Sequence, residues 1–574
     1  MKMFFGKTLA TILIGLAFQT VIAADNGWWP AQSAPEIILV CPNPLQPSEC
    51  NLLQSLSGLA AKSVNERAAK EGVWVRTYNH NYEVYFKSLV KRTKAKVKNI
   101  PDVWSLLSHL STNDVVRGYV LYDDRNPVSL NIATTRAGIL RAALVEKGIR
   151  SKVDSMGLEC LFDASDGITE RDNFEFLKRD LNKRLLVLSS PKIFNNRDLA
   201  IAHNAIVHYG VDSLLTDILE WIEPLSPVVG WNEGPEAGHI RPCTEYGLIN
   251  TVSDFCMNLP MLSCADQSGE RLSFRKLNPK SIDWNSDKPV HSFVMSDGDN
   301  LQWMMGSFIS SKEYWRSRYS SSIPMNYTTC AVNLSMTAVD PLAALVAGQP
   351  RKGSVIEYGG GYYYPDLFAC RRGEAREELL RALARKVNTH MKRTGTSVLA
   401  FICMDMFSGA AKDAYRIFAE EIDGLLGILT LQYSPYNRGD GKLLWVNGKN
   451  GFDVPICSAR YQIWANLDIP GSGNPQKVAI DINEDAGDAD SPVMSWTIVH
   501  AWSRYIKDVN GNILDASQDD RNATRGVSAV YWGTRFLDSG TAVVSVEELL
   551  WRMRMAHDPE GTRQMIDTKT NKSK

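Results

Sequence analysis

Acidic and aromatic residues follow several apolar stretches in the second half of the chain. Carboxylates stand directly after or at the end of "HSFVMS", "SVIE" and "LAFICM", at Asp297, Asp299, Glu357 and Asp405. One carboxyl as acid and a second as base or nucleophile can cleave a glycosidic bond. We therefore predict a catalytic pair with Asp297 or Asp299 as one member and Glu357 or Asp405 as the other.

Rings and a histidine follow two further apolar stretches, "GILTLQ" and "SWTIV", at Tyr433, His500 and Trp502. Simpler interpretations of these positions stay open. "SDGDN" (296–300) is also typical of a turn whose aspartates cap nearby amides. Asp405 could equally cap the following helix, and His500 could be a buried core histidine.

The segment "EYGGGYYYPDLF" (357–368) places three glycines beside three tyrosines. The glycines would let the main chain approach a ligand closely, while Tyr362 and Tyr364 present stacking faces and Asp366 an acceptor. A glycine-rich loop packed by its own tyrosines is the alternative. The segment lacks the GxGxxG frame and a following Lys-Ser or Lys-Thr, which argues against a nucleotide loop.

A second polar segment, "GWNEGPEAGHIRP" (230–242), groups Glu233, Glu236 and His239. Because the run is rich in glycine and proline, it favours a solvated loop. We expect only Trp231 and Glu233 to contribute to substrate binding from the N-terminal half.

The apolar pattern alternates between strands and helices, which predicts an α/β protein. Three small α/β units are expected at 25–112, 113–182 and 183–270. A C-terminal domain at 288–560 is expected to form a TIM-like β/α barrel, whose strand ends would bring the polar residues to one mouth.

The chain begins like an exported protein. Lys2 and Lys7 precede the apolar run "LATILIGLAF", and small residues follow, which predicts a cleaved signal peptide over 1–24 and a secreted or periplasmic location. No later run is long enough for a membrane span. The ten cysteines lack a CxxC pair, and Cys41–Cys50 and Cys256–Cys264 are candidate disulfides.

Composition narrows the choice of partners. Lys and Arg number 63 against 64 Asp and Glu, a net charge of −1 that does not favour nucleic acid. Fifteen tryptophans and twenty tyrosines in an exported chain are compatible with a carbohydrate substrate. We expect no cofactor, and metal dependence and oligomeric state stay open.

"GGGYYYP" (359–365) resembles the motif of the GxGYxYP family, bacterial proteins to which glycoside hydrolase activity is ascribed. Gly359, Gly361, Tyr362, Tyr364 and Pro365 match the named positions, and "FVMSDGDNLQW", "GYVLYD" and "GWNEG" are also similar to that family. The resemblance implies several N-terminal α/β pieces and a barrel-like C-terminal domain. A glycoside hydrolase is the main expectation, and a metal-dependent carbohydrate deacetylase or a non-catalytic glycan-binding protein are the alternatives.

Overall fold

The structure is a computed structural model, and it describes residues 27–264, 272–433, 439–467, 469–486 and 494–571. The predicted signal peptide lies outside the described residues. Among the residues described, no helix is both long and apolar enough to cross a membrane.

The first unit is a three-stranded parallel sheet in the order β2-β1-β3. Its strands and helices are β1 (Ile37–Pro42), α1 (Pro47–Asn65), β2 (Glu71–Arg76), α2 (His80–Thr93), β3 (Lys96–Asn99) and α3 (Val103–Thr112). Local signals start these helices: a proline opens α1, and Asn79 and Asp102 cap the N-termini of α2 and α3 through their side chains.

The second unit repeats this design with the order β5-β4-β6. It contains β4 (Gly118–Tyr122), α4 (Pro127–Leu140), β5 (Ala142–Glu146), α5 (Arg150–Ser155), β6 (Cys160–Asp163) and α6 (Glu170–Leu177). The central strand β4 is buried along its whole length, as expected of a parallel strand covered by helices.

The third unit is a four-stranded parallel sheet in the order β10-β9-β7-β8. Its elements are β7 (Leu186–Leu188), α7 (Arg197–His203), β8 (Ile206–His208), α8 (Ser213–Trp221), β9 (Pro227–Gly230), α9 (Glu236–Glu245), β10 (Ile249–Thr251) and α10 (Leu259–Leu262). Part of the predicted loop 230–242 is therefore helix α9.

The C-terminal domain is built on a sheet of eleven strands. They are β11 (Val290–Met295), β12 (Met325–Thr329), β13 (Val355–Glu357), β14 (Val398–Cys403), β15 (Gly427–Gln432), β16 (Leu443–Asn447), β17 (Asp453–Ser458), β18 (Tyr461–Ile463), β19 (Ser472–Gly473), β20 (Met494–Val499) and β23 (Ala542–Val543). A separate hairpin joins β21 (Arg504–Lys507) to β22 (Ile513–Ala516).

Nine helices accompany this sheet among the described residues. They are α11 (Leu301–Trp303), α12 (Ala331–Thr337), α13 (Val339–Ala347), α14 (Arg376–Thr394), α15 (Gly409–Glu421), α16 (Pro475–Ala486), α17 (Gly526–Gly533), α18 (Val546–His557) and α19 (Pro559–Asn571). Strand β11 is buried at all six residues and pairs in parallel with β12, β20 and β23. It places "SDGDN" at the carboxyl end of the sheet.

The closed barrel predicted from the sequence is not found in the described part of the chain. Pairing runs from β16 to β19 in the order β16-β17-β15-β14-β13-β12-β11-β20-β18-β19, so the sheet is curled and open, like half a barrel. Only two residues separate Ser458 at the end of β17 from Tyr461 at the start of β18. Adjacent parallel strands need a crossover connection of about a dozen residues or more. β17 and β18 therefore cannot pair in parallel with each other to close the barrel.

The glycine–tyrosine loop, residues 359–365, joins the third unit to the C-terminal sheet. Tyr362 and Asn250 exchange two backbone hydrogen bonds of 2.8 and 3.2 Å. A Cβ on Gly361 would lie 2.6 Å from Ile249 Cγ2, and one on Gly360 (φ +94°) would collide with the Trp28 ring. The glycines therefore let the main chain approach other parts of the protein, and the predicted close approach to a ligand is not needed to explain them.

Neither candidate disulfide is formed. Cys41 and Cys50 are free thiols, whose sulfurs lie 3.6 and 3.3 Å from the backbone oxygens of Pro42 and Pro44. Cys256 is also a free, buried thiol. Burial raises the pKa of the Cys50 thiol to about 11, so it is protonated at neutral pH.

Candidate functional site

A pocket with a cavity volume of about 240 Å³ lies at the carboxyl ends of the C-terminal strands. Three carboxyl side chains line it, from Glu236, Asp297 and Asp299. Aromatic and imidazole rings form much of the remaining wall: Tyr358, Tyr362, Tyr433, Trp464, His500 and Trp502. Six of the residues predicted as site residues therefore meet in one pocket: Asp297, Asp299, Tyr362, Tyr433, His500 and Trp502.

Asp297 is held by two donors in a sharp turn after β11. Its backbone adopts a left-handed conformation (φ +63°), which is uncommon for a residue other than glycine. Trp502 Nε1 donates to Oδ1 over 2.8 Å, and Ser296 Oγ donates to Oδ2. Two donors fix the orientation of the carboxylate, which suits a base or a nucleophile.

Gly298 allows the turn to sit against the neighbouring strand. A Cβ at this position would collide with the Thr328 carbonyl group of β12. The Gly298 amide also donates to Thr328 Oγ1 over 3.0 Å. The glycine therefore positions Asp297 and Asp299 by packing, and the aspartates do more than form a solvated turn.

The carboxyl groups of Asp299 and Glu236 both have raised pKa values. Burial, followed by the neighbouring Asp297 and Glu236 carboxyls, raises the pKa of Asp299 well above its usual range. Burial also raises the pKa of Glu236, and Asp297 adds to the effect, while the hydrogen bond from Tyr362 acts in the opposite direction. The pocket thus combines an oriented carboxylate with two acids of raised pKa.

Glu236 enters the pocket from the third N-terminal unit. It is the first residue of α9, and its Oε1 accepts a hydrogen bond from the Tyr362 hydroxyl. Since Tyr362 belongs to the glycine–tyrosine loop, the two halves of the chain build the pocket together. The sequence contained a signal for this position, because an acidic residue directly after a proline is typical of a helix start. The loop predicted for this segment is therefore wrong at α9.

His500 lies in the pocket wall and not in the core. Its ring stacks on Trp464 with a centroid distance of 3.7 Å and an interplanar angle of 2°. Nδ1 lies 2.7 Å from Ser503 Oγ. Burial lowers the pKa of His500, with Asp297 opposing the shift, so the neutral imidazole is favoured.

Glu357 does not line this pocket, contrary to our prediction. It is completely buried, and its two oxygens accept hydrogen bonds of 2.8 Å each from the amides of Val332 and Gly360. Burial raises its pKa to about 8. Glu357 therefore anchors the glycine–tyrosine loop to the start of α12, and the pocket takes its second carboxyl from Glu236.

Asp405 and Asp366 are also outside the pocket lining. Asp405 is exposed, and its Oδ1 accepts from the Phe407 amide over 3.1 Å in a turn. It does not cap the following helix, as the sequence left open, because Ser408 caps α15. Asp366 is buried and accepts from the amides of Met404 and Asp405. Both aspartates thus organise the chain after β14, and neither reaches the cavity.

Three further residues predicted to bind substrate do not line the pocket. Tyr364 is fully buried and packs edge-on against Tyr362 at 5.7 Å. Trp231 packs edge-on against His239 at 4.5 Å, and Glu233 is exposed to solvent. Tyr364 and Trp231 support the Tyr362 side of the pocket from behind.

Several lining residues were absent from the sequence prediction, namely Glu236, Tyr358, Trp464, Gln432 and Gln462. Tyr358 directly follows Glu357 at the end of β13, and Trp464 directly follows β18. Both residues directly follow a strand, which is the pattern that predicted the other pocket residues, so the sequence contained a signal for them. The short strand "YQI" (461–463) that positions Trp464 is not among the strands predicted from the sequence.

A larger groove of about 850 Å³ lies at the opposite ends of the strands. Pro324 and Gly353, which precede β12 and β13, line it together with Arg275 and Glu547. It contains none of the predicted site residues. Since ligands of open α/β sheets bind at the carboxyl ends of the strands, the smaller pocket is the candidate site.

One group of three acidic side chains among the described residues has ligand atoms close enough to share a metal ion. Asp123, Asp124 and Glu146 each offer an oxygen within 4.8 Å of the others. The group lies in the second unit, and Asp123 already pairs with Arg125 and Lys147. In the described part of the pocket, His500 is the lone histidine of the lining.

The fold and the site define an α/β protein with an open, curled and mostly parallel sheet and with a pocket of carboxyl groups and aromatic rings. The chain belongs to the GxGYxYP family. Residues 287–519 match the "GxGYxYP putative glycoside hydrolase C-terminal domain", residues 116–185 the GxGYxYP_N second domain, and residues 183–264 the GxGYxYP third domain.

One similar solved structure is a crystal structure described as "a putative hydrolase from Bacteroides thetaiotaomicron VPI-5482". It is 20% identical to this chain, with a TM-score of 0.75, and the match covers 93% of this chain and 97% of that one. The similarity establishes a shared fold. A search of the curated proteins found no match.

Proposed function

We propose that the protein is a glycoside hydrolase whose active site is the pocket at Asp297. One observation carries the proposal. The pocket brings the oriented carboxyl group of Asp297 together with two carboxyl groups of raised pKa, those of Glu236 and Asp299, among aromatic rings. Glycosidases need one protonated and one ionised carboxyl on either side of the scissile bond. Family membership supports the same reaction class.

Glu236 is the general acid in this proposal. It gives its proton to the glycosidic oxygen as the bond from that oxygen to the anomeric carbon breaks. Asp297 either takes a proton from the attacking water or attacks the anomeric carbon itself, after which water releases the sugar. Asp299, which favours the protonated form, donates a hydrogen bond to the substrate.

The substrate is a glycan outside the cytoplasm, because the N-terminal residues have the pattern of a cleaved signal peptide. Mass spectrometry of the protein after export from its host would give the mature N-terminus. We expect cleavage after Ala23 or Ala24, and a retained Met1 in the exported fraction would contradict this part of the proposal.

A glycan library tests the reaction. Purified protein and its Asp297→Asn variant are incubated with each glycan, and new reducing ends and released acetate are measured. We expect new reducing ends with the unchanged protein alone. Binding without any product would favour the non-catalytic glycan-binding alternative, and acetate release without glycan cleavage would favour the deacetylase.

A further inference from the structure

We propose that the pocket binds a single sugar ring that carries no negative charge, a neutral or amino sugar, and discriminates against uronic acids. The inference rests on the proposed carbohydrate ligand and adds the substrate class. Its basis is the composition of the pocket wall, where carboxyl groups meet aromatic rings and where the described lining contains no lysine or arginine.

The pocket is small. A volume of about 240 Å³ lies just below the range of roughly 300–1,000 Å³ that is typical of pockets for drug-sized ligands. One six-membered sugar ring suits such a cavity better than several linked rings. The stacked pair of Trp464 and His500 offers a flat surface for the apolar face of that ring.

The pocket wall is acidic. A uronic acid would bring its carboxylate next to Asp297 and the acids Asp299 and Glu236, and no cation of the described lining would pair with it. Neutral donors such as Asp299 and Gln432 could hydrogen-bond to that carboxylate, but a charge that loses water without gaining an opposite charge beside it is disfavoured. His500 does not supply the missing cation, because burial lowers its pKa and favours the neutral ring.

The pocket wall also offers hydrogen-bond donors and acceptors. Carboxyl groups and the amide of Gln432 can accept hydrogen bonds from sugar hydroxyls and can donate hydrogen bonds to them. An ammonium group at one ring position would donate a charge-assisted hydrogen bond to a carboxylate such as Asp297. Neutral and amino sugars are therefore both compatible with the wall.

Matched monosaccharides test the inference. For each of the gluco, galacto and manno rings, affinity at neutral pH is measured by calorimetry for the neutral sugar, the 2-amino sugar and the uronic acid. Free sugars present both anomers and are not hydrolysed. We expect the uronic acid of at least one ring series to bind at least about tenfold more weakly than its neutral counterpart, since an unpaired buried group has about that cost.

A variant that adds a positive charge to the pocket wall tests the role of charge directly. Gln432→Lys places a cation in the pocket wall and should narrow or reverse the preference against the uronic acid. Gln46→Lys is the matched control, since Gln46 is exposed in the first unit and makes no side-chain cap bond. We expect the control to keep the ratio of the unchanged protein.

The inference would be overturned if the unchanged protein bound every uronic acid within about tenfold of its neutral counterpart, or more tightly, or if it bound none of the nine sugars. Tight binding of a neutral sugar in a protein that releases no product from any glycan would have a different meaning. It would contradict hydrolysis and leave the substrate class standing.

Discussion

Trp502 donates a hydrogen bond from its indole Nε1 to Oδ1 of Asp297 over 2.8 Å. The two residues come from different strand ends, since Asp297 follows β11 and Trp502 follows β20. These strands are paired in parallel, with Met295 opposite Val499. The bond therefore depends on sheet register, and it fixes the carboxylate that we propose as base or nucleophile.

Trp502→Phe should lower kcat by roughly 10- to 100-fold, because one hydrogen bond to a charged group contributes about 1.5–3 kcal/mol and Ser296 still holds the other oxygen. The phenyl ring keeps much of the contact with Trp303, whose ring centroid lies 4.8 Å away. Steady-state kinetics and melting temperature are measured together. An unchanged kcat in a folded variant would show that this bond does not position the carboxylate.

The hydrogen bond between Tyr362 and Glu236 predicts a pH effect. Activity should fall as pH rises through the raised pKa of Glu236, because the acid must be protonated. Tyr362→Phe removes the bond that lowers this pKa, so the falling limb of the pH–rate profile should move to higher pH. A shift to lower pH, or none, would contradict the assignment of Glu236 as the acid.

Glu236→Gln should reduce kcat by roughly 10² to 10⁴-fold, the usual contribution of general acid–base catalysis. Glu233→Gln is the matched control, since Glu233 is exposed and outside the pocket lining. The control should retain full activity. Equal activity of both variants would remove Glu236 from the chemistry.

Gly360→Ala should destabilise the protein by about 1–3 kcal/mol, because the residue has φ +94° and its new Cβ would meet the Trp28 ring. Gly409→Ala is the control, since a Cβ at that position would have no neighbouring atom within 4 Å. The free energy of unfolding is measured in denaturant. Similar stability of the two variants would contradict the packing role of the glycine–tyrosine loop.

The buried carboxyl group of Glu357 should make the stability of the folded protein depend on pH. Its pKa is raised in the folded protein to about 8 from 4.5, so folding favours the protonated form. This contribution is fully present below about pH 4.5 and is lost as pH rises towards about 8. Glu357→Gln should lower stability by about 1–3 kcal/mol at low pH and should flatten this pH dependence. An unchanged slope in denaturation experiments would contradict it.

The sequence predicted the strand-end residues of the pocket because that rule is local. Asp297, Tyr433 and His500 each follow an apolar run, and parallel strands bring such positions to one edge. The same rule failed for Glu357, since a strand end does not reveal towards which side the last side chain points.

Glu236 and the open sheet depended on long-range contacts. Glu236 reaches the pocket only because the third unit packs on the glycine–tyrosine loop through Asn250 and Tyr362, and a single sequence contains no record of that pairing. The open sheet likewise depends on which strands pair. The two-residue connection between β17 and β18 lies in a segment for which the sequence predicted no strand, so it could not be used to exclude a closed barrel.

The most direct test compares glycan hydrolysis by Asp297→Asn and Asp405→Asn. Both substitutions remove one carboxylate at partly or fully exposed positions after a strand, but only Asp297 lines the pocket. We expect Asp297→Asn to keep its melting temperature within a few degrees and to lose roughly 10² to 10⁴-fold in kcat, with Asp405→Asn fully active. Full activity of folded Asp297→Asn would contradict the proposed active site.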